Sequence, residues 1–211
     1  MSSQFWDERY SGEQLVYGEA PNGFLASVTG RFPSSGRALD IGAGEGRNAL
    51  FLASCGLDVL AVDQSSVGMR KAERLARERG LGLRTQAVDL SDFDAEPESF
   101  DVVSSIFVHL PAALRSAVHQ RIRSWLRPGG VFVLEAYAPD QLTRGTGGPK
   151  DRRFSLLWRL LWESWKGCGS SISLLWCATS QKGSSTPARR LSCRSWPGRI
   201  DRITTAMRSC S

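Results

Sequence analysis

No stretch of the 211 residues reaches the roughly 18 consecutive apolar positions that a membrane helix needs. None near the start has the form of a signal peptide either, so a cytoplasmic protein with no membrane contact is expected. The five cysteines are odd in number and have no paired spacing, which argues against a disulfide framework. There is no C-x-x-C pair and no histidine–cysteine cluster, so no metal is expected. The two histidines, His109 and His119, stand apart. Valine stops at Val133 and tyrosine at Tyr137, although apolar residues continue beyond both. The charge of one sign is also unevenly spread. The net +6 would suggest nucleic acid, but residues 1–150 hold 16 basic and 18 acidic side chains, a net −2. Residues 151–211 hold 11 and 3, a net +8, so the basic character belongs to the tail.

What is present begins at Ala38–Arg47, A-L-D-I-G-A-G-E-G-R. An apolar run ends in Asp40, and Gly42, Gly44 and Gly46 follow at every second position. Glycines so spaced let a backbone turn sharply and approach a ligand. The run Arg47–Ser54 behind them reads as a helix, whose first N–H groups lack partners. A second apolar run, 59–62, ends in Asp63, 21 residues after Gly42. An acid at about that distance from such a turn is placed to accept ribose hydroxyls. Further apolar runs lie at 83–88, 100–108 and 131–134. Residues 66–80 and 112–127 carry apolar positions at helical spacing. Runs alternating with helices predict an α/β fold with a doubly wound, mainly parallel sheet. Ligands in such sheets bind beyond the carboxyl ends of the strands, where Asp40, Asp63 and Asp89 fall.

The glycines read G-x-G-x-G and not the G-x-G-x-x-G of a dinucleotide turn, and an acid precedes them. That acid suits a cationic ligand and would repel a pyrophosphate. With L-D-I-G-A-G-E-G (39–46), Asp63, Asp89-Leu90 and L-R-P-G-G (126–130), the chain resembles a class I S-adenosylmethionine-dependent methyltransferase. The strings F-W-D-E-R-Y (5–10), Y-G-E-A-P-N (17–22), S-I-F-V-H-L-P (105–111), L-E-A-Y (134–137) and G-T-G-G-P-K-D (145–151) narrow the likeness. Over residues 5–151 they resemble the small bacterial methyltransferases related to tellurite-resistance and thiopurine enzymes. This implies S-adenosylmethionine as cofactor and a small soft nucleophile as acceptor: a thiol, a thiopurine, or a tellurium or selenium oxyanion. The net −2 of residues 1–150 argues against a nucleic-acid partner, and no obligate protein partner is evident. The chain lacks the N-P-P-Y or D-P-P-Y string expected of base amino-group methylation.

The resemblance also implies roles for individual residues. Asp40 would anchor the turn and the cofactor ammonium, partly through water. Gly42 and Gly44 would bring the backbone close, with Gly46 serving helix packing. Asp63 would hold the ribose, while Asp89 and the Leu90 N–H would meet the adenine. Ser105, with Ile106 and Phe107, would lie beside the sulfonium. Arg47 would meet the cofactor carboxylate or an anionic acceptor. Trp6, Tyr10, Tyr17 and Phe107 would cover the substrate, residues 1–35 forming an N-terminal cover on a domain of residues 1–150. His109 is the candidate catalytic base or acceptor contact.

The tail does not continue this pattern. Four of five cysteines and five of seven tryptophans lie beyond residue 151. The β-branched alternation needed for the two antiparallel strands that end this fold is missing there. Shifting the reading frame between Gly169 and Arg199 permits codons for two valine-rich strands joined by a polar turn. Residues 151–211 are therefore read as frameshifted and not a domain, with the last two strands missing and the outer side of the fifth strand open. A catalytically impaired, cofactor-binding remnant is the alternative function this leaves. A genuine Ser/Arg-rich linker, or an amphipathic helix at 154–166, would also account for the tail's composition.

Overall fold

A computed structural model describes residues 2–137 and, as backbone, residues 173–179. Six strands form one sheet in the order β3-β2-β1-β4-β5-β6. They are β1 (Gly36–Ile41), β2 (Leu57–Asp63), β3 (Leu83–Ala87), β4 (Phe100–Ile106), β5 (Leu126–Tyr137) and β6 (Ser173–Thr179). Every pairing is parallel. The helices are α1 (Ser3–Arg9), α2 (Gly23–Ser27), α3 (Arg47–Ser54), α4 (Ser66–Glu78) and α5 (Ala112–Trp125), with a short 3-10 turn at Thr29–Arg31. The expected doubly wound α/β architecture is present. Chain order runs outward from β1 to β3, then reverses to β4 and β5 on the other side.

Strand periodicity sorts the core onto two faces. Ala38, Val59, Ala61, Val102, Val131 and Val133 pack beneath α2, α3 and α4 through Leu25, Leu52, Met69 and Ala72. Leu39, Ile41, Val62, Val103, Phe132 and Leu134 pack beneath α5 through Val118, Ile122 and Trp125. Both faces are covered, which is why these strands are nearly continuous apolar runs and not alternating ones. Helix α4 starts where the Ser65 hydroxyl accepts from the Gly68 N–H at 3.0 Å, a side-chain N-cap.

The tail departs from its expected role in one segment. The sequence reading leaves the outer side of β5 open, yet Ser173–Thr179 pairs there along Val131–Tyr137. An unpaired edge is a row of free N–H and C=O groups that any extended segment can satisfy. The intervening residues 138–172 are ample for the crossover that a parallel partner needs. The antiparallel hairpin is not among the described residues. The remaining tail readings, including the 154–166 helix and the frame change, lie outside them.

Gly46 shows how the turn is locked to the sheet. Its φ is +87°, and a Cβ there would lie 2.5 Å from the Ala72 Cβ on α4. Replacing it strains the backbone and forces two helices apart. Gly46→Ala is expected to cost about 1–3 kcal/mol of stability. Urea unfolding with an unchanged midpoint would contradict this account of the packing.

Candidate active site

The strand order reverses between β1 and β4, and a cavity of about 630 Å³ opens there beyond the carboxyl ends of the strands. The glycine turn after β1 forms its floor with Gly42, Ala43 and Gly44. The end of β2 adds Asp63, and the loop after β3 adds Asp89 and Leu90. The segment after β4 contributes Phe107, Val108 and His109, while α1 and its following loop close the top with Trp6, Arg9, Tyr10 and Tyr17.

Asp63 is the central polar group. Its Oδ2 accepts from the Gly44 N–H at 2.9 Å and its Oδ1 from the Ser65 N–H at 2.8 Å. Burial pushes its pKa up, opposed by those two N–H groups. Carboxylate oxygens have lone pairs left after one bond each, so Asp63 retains acceptor capacity toward the cavity. Asp89 is exposed, and its pKa is lowered by the Ser91 N–H and hydroxyl, both 2.8 Å from its Oδ1.

The cover is built on one helical stripe. Trp6 stacks on Tyr10 with centroids 5.5 Å apart, and the Tyr10 hydroxyl presses onto the turn, 2.8 Å from where a Gly44 Cβ would lie. Gly44 is thus required by Tyr10 and by its φ of +58°. Val108 similarly occupies the space above Gly42, 2.7 Å from the equivalent point. Three polar ties hold the N-terminal segment. Asp7 Oδ1 accepts from the Ser65 hydroxyl at 2.6 Å and the Val67 N–H at 3.1 Å. Buried Glu45 accepts from the Val16 N–H at 2.7 Å and from Lys71 at 2.8 Å. Asn22 donates through its side chain to Glu135 at 2.6 Å and through its backbone to Asn48 at 2.9 Å.

Two expected residues are not on the cavity wall. Asp40 is 1% exposed and turned into the sheet, where its Oδ1 accepts from the Ser104 hydroxyl at 2.6 Å. Its Oδ2 is buried without a hydrogen-bond partner. Burial raises its pKa to about 7, with Ser104 opposing. Ser105 faces the opposite side of β4, beside Val118 and His119 of α5. Strand alternation places Ser104 and Ile106 toward one face and Ser105 toward the other, so naming three successive residues as lining was bound to misplace one.

The other sequence candidates gather at the cavity. Phe107 adopts φ +57°, rare for an aromatic residue, and its ring lies 4.8 Å from that of Tyr137. The Phe107 N–H donates to the Glu135 carbonyl at 2.8 Å, which holds the turn. His109 stacks on Tyr137 at 5.8 Å, and burial lowers its pKa to about 4, leaving a neutral imidazole at neutral pH. Arg47 donates to the Tyr17 carbonyl at 3.1 Å. Sequence reasoning gave no role to Asp7, Arg9, Glu45, Lys71, Asn48 or Tyr137. The spacing of Trp6, Arg9 and Tyr10 on one helical face was the signal for Arg9. The ties through Glu45, Asn48 and Lys71 join residues that only the fold brings together.

A Rossmann-like sheet with a cavity at the reversal point, a glycine turn and a buried acid ending β2 is the arrangement of class I methyltransferase folds. Residues 38–130 match the family described as a methyltransferase domain. A protein of Mycobacteroides abscessus named 2-heptyl-1-hydroxyquinolin-4(1H)-one methyltransferase is 32% identical over 113 residues, covering 50% of each chain. An Eikenella corrodens protein named Hemagglutinin 1 is 34% identical over 100 residues, 46% of this chain and 33% of that one. The chain therefore spans half or less of the length of these curated relatives. The solved CcbJ methyltransferase of Streptomyces caelestis shares the fold, with TM-score 0.55 and 24% identity over 67% of this chain and 59% of that one.

Two predictions test this geometry. One oxygen of Asp7 makes both ties to α4, and an amide oxygen can replace it. Asp7→Ala should speed hydrogen exchange of the α1 amides about tenfold or more, while Asp7→Asn should stay near the parent. Equal exchange in both variants would show that α1 is held by packing alone. For Asp40, the folded pKa of about 7 lies above the ordinary 3.8. The folded chain therefore keeps a proton that the unfolded chain loses, and stability falls as pH rises from about 4 to 7. Asp40→Asn cannot ionise, so its Tm relative to the parent should rise between pH 5 and pH 8. A pH-independent difference in melting would refute the buried-acid assignment.

Proposed function

We propose that the protein is an S-adenosylmethionine-dependent methyltransferase that transfers a methyl group to a small soft nucleophile. The observation carrying this reading is the cavity itself. Its volume is within the range of small-molecule sites, and its wall combines Asp63, Asp89 and the glycine turn on one side with aromatic rings on the other. The residues present fit the cofactor. Asp63 is a buried acceptor suited to the ribose hydroxyls, and Asp89 with Leu90 flanks the place for the adenine. A cation held above the turn would draw buried Asp40, whose Oδ2 has no partner, toward its ionised form. Phe107, His109 and Tyr137 supply ring faces compatible with a sulfonium.

The bound cofactor would supply a methyl group already made electrophilic by its sulfonium. The chain's own work is to position the acceptor and exclude water. Trp6, Tyr10 and Tyr17 close the cavity, fixed by the Asp7 and Glu45 ties. His109, neutral above about pH 5, can accept a hydrogen bond or proton but is a weak base at its lowered pKa. That suits a thiol, thiopurine, or tellurium or selenium oxyanion, which needs little help in losing a proton. The likeness to tellurite-resistance and thiopurine enzymes supports this acceptor class. The Mycobacteroides relative, named for a flat heteroaromatic acceptor, is compatible with a cavity of this size.

The test is calorimetry with S-adenosylhomocysteine and NAD, followed by methyl transfer to small thiols, thiopurines and the two oxyanions. Binding of the first ligand only is expected, and Asp63→Ala should weaken it by about 1–3 kcal/mol. Activity should carry no limb assignable to His109 above pH 5. Unchanged affinity in Asp63→Ala would remove that residue from the site. Binding without transfer to any acceptor would favour the impaired remnant, and transfer to DNA alone would exclude the small-nucleophile reading.

A further inference from the structure

Two arginines at the cavity mouth converge on one ring. Arg9 is on α1 and Arg47 opens α3, yet their Cζ atoms lie 5.6 and 5.9 Å from the Tyr17 ring centroid. Arg9 Nε donates to the Tyr17 hydroxyl at 3.3 Å, and Arg47 Nη1 donates to the Tyr17 carbonyl at 3.1 Å. All three residues line the cavity. Among the described residues neither guanidinium forms an ion pair, whereas nearby Lys71 is neutralised by Glu45 at 2.8 Å. Each arginine carries five N–H donors in a planar fork, and these contacts occupy one apiece. Tyr17 thus fixes two forks and leaves most of their donors unspent. Like charges gathered on one ring repel each other, and an anion between them relieves that repulsion. Preorganised forks are the side-chain arrangement that recognises a planar anion best. Phe107, His109 and Tyr137, which line the same cavity, carry no charge at neutral pH.

We propose that Arg9 and Arg47, held by Tyr17, form an anion clamp, and that the methyl acceptor carries a carboxylate-type acidic group separate from the atom that is methylated. This rests on the methyltransferase reading and narrows its acceptor to an organic anion. The clamp holds the acidic end, while the nucleophilic end extends toward the rings of Phe107, His109 and Tyr137, where the sulfonium would lie. The cofactor's own carboxylate offers the same chemistry, so the experiment must separate the two sources.

The probes are 3-mercaptopropionate and the neutral 3-mercapto-1-propanol, titrated by calorimetry into protein loaded with S-adenosylhomocysteine and into free protein. The charged thiol is expected to bind at least about tenfold more tightly, and Arg9→Gln and Arg47→Gln should each reduce that ratio to about threefold or less. High salt should compress the ratio in the parent. Equal binding of both thiols to the parent, or a ratio that survives both substitutions, overturns the clamp. If the variants weaken S-adenosylhomocysteine but not 5′-methylthioadenosine, which lacks the amino-acid end, and leave the thiol ratio intact, the arginines hold the cofactor and the proposal is wrong. Failure of S-adenosylhomocysteine to bind the parent overturns the methyltransferase reading instead, and the titration of free protein still reads the clamp.

Discussion

The buried carboxylate of Asp63 ties together parts of the chain that are otherwise joined only through the sheet. One oxygen holds the glycine turn at Gly44, and the other holds Ser65 at the start of α4. Ser65 in turn caps α4 through Gly68 and donates to Asp7 of the cover. A charged acceptor buried without such donors would be costly, so the position selects a folded arrangement in which two backbone N–H groups converge on it. The cavity floor, the helix beside it and the lid above it are therefore registered to one side chain. A ligand hydroxyl arriving at Asp63 would join a network already organised.

The cover follows the same logic. Helix α1 has seven residues and none of its own is buried, too short to persist alone in water. It persists because Asp7 is bound to the start of α4 and because Tyr10, in the position that ends the helix, is buried against Gly44 and Gly68. The segment after it is held by Glu45 and Lys71, then by Asn22 with Asn48 and Glu135. Together the ties join the first 22 residues to α4, the glycine turn, α3 and β5. Closure of the cavity is thus a property of the domain surface as much as of the cover.

Among the described residues, positive φ outside glycine and an unpartnered buried polar atom occur in two places, at Phe107 and Asp40 near the site and at Glu98 and Ser99 just before β4. Phe107 is held at positive φ by its N–H bond to Glu135, and Asp40 keeps one oxygen unpaired. Such features persist only where the surrounding fold over-determines them. The sheet edge behaves more simply. Ser173–Thr179 pairs along β5 although Thr179 is its one β-branched residue.

The sequence by itself determined the order of elements from β1 to β5, because short apolar runs and helical periodicities are local patterns. Helix α3 spans the residues its pattern indicates, and the strands fall on the apolar runs within a few positions. The glycine turn and Asp63 were legible for the same reason, since their spacing is a short-range constraint on the chain. Ser105 was misplaced because nearness to a strand end does not say which face a side chain takes, and Asp40 because it shares the face of Ala61 and Asp63 but lies deeper along its strand. Only the tertiary structure decided that, along with the meeting of Arg9 and Arg47 on Tyr17 and the docking of Asp7 on Ser65. Arg47 and Tyr17 are 30 positions apart and Asp7 and Ser65 are 58, while Arg9 reaches Tyr17 across 8. Their partners are chosen by how the sheet and helices stack in space, and no pattern of neighbours along the chain encodes that directly.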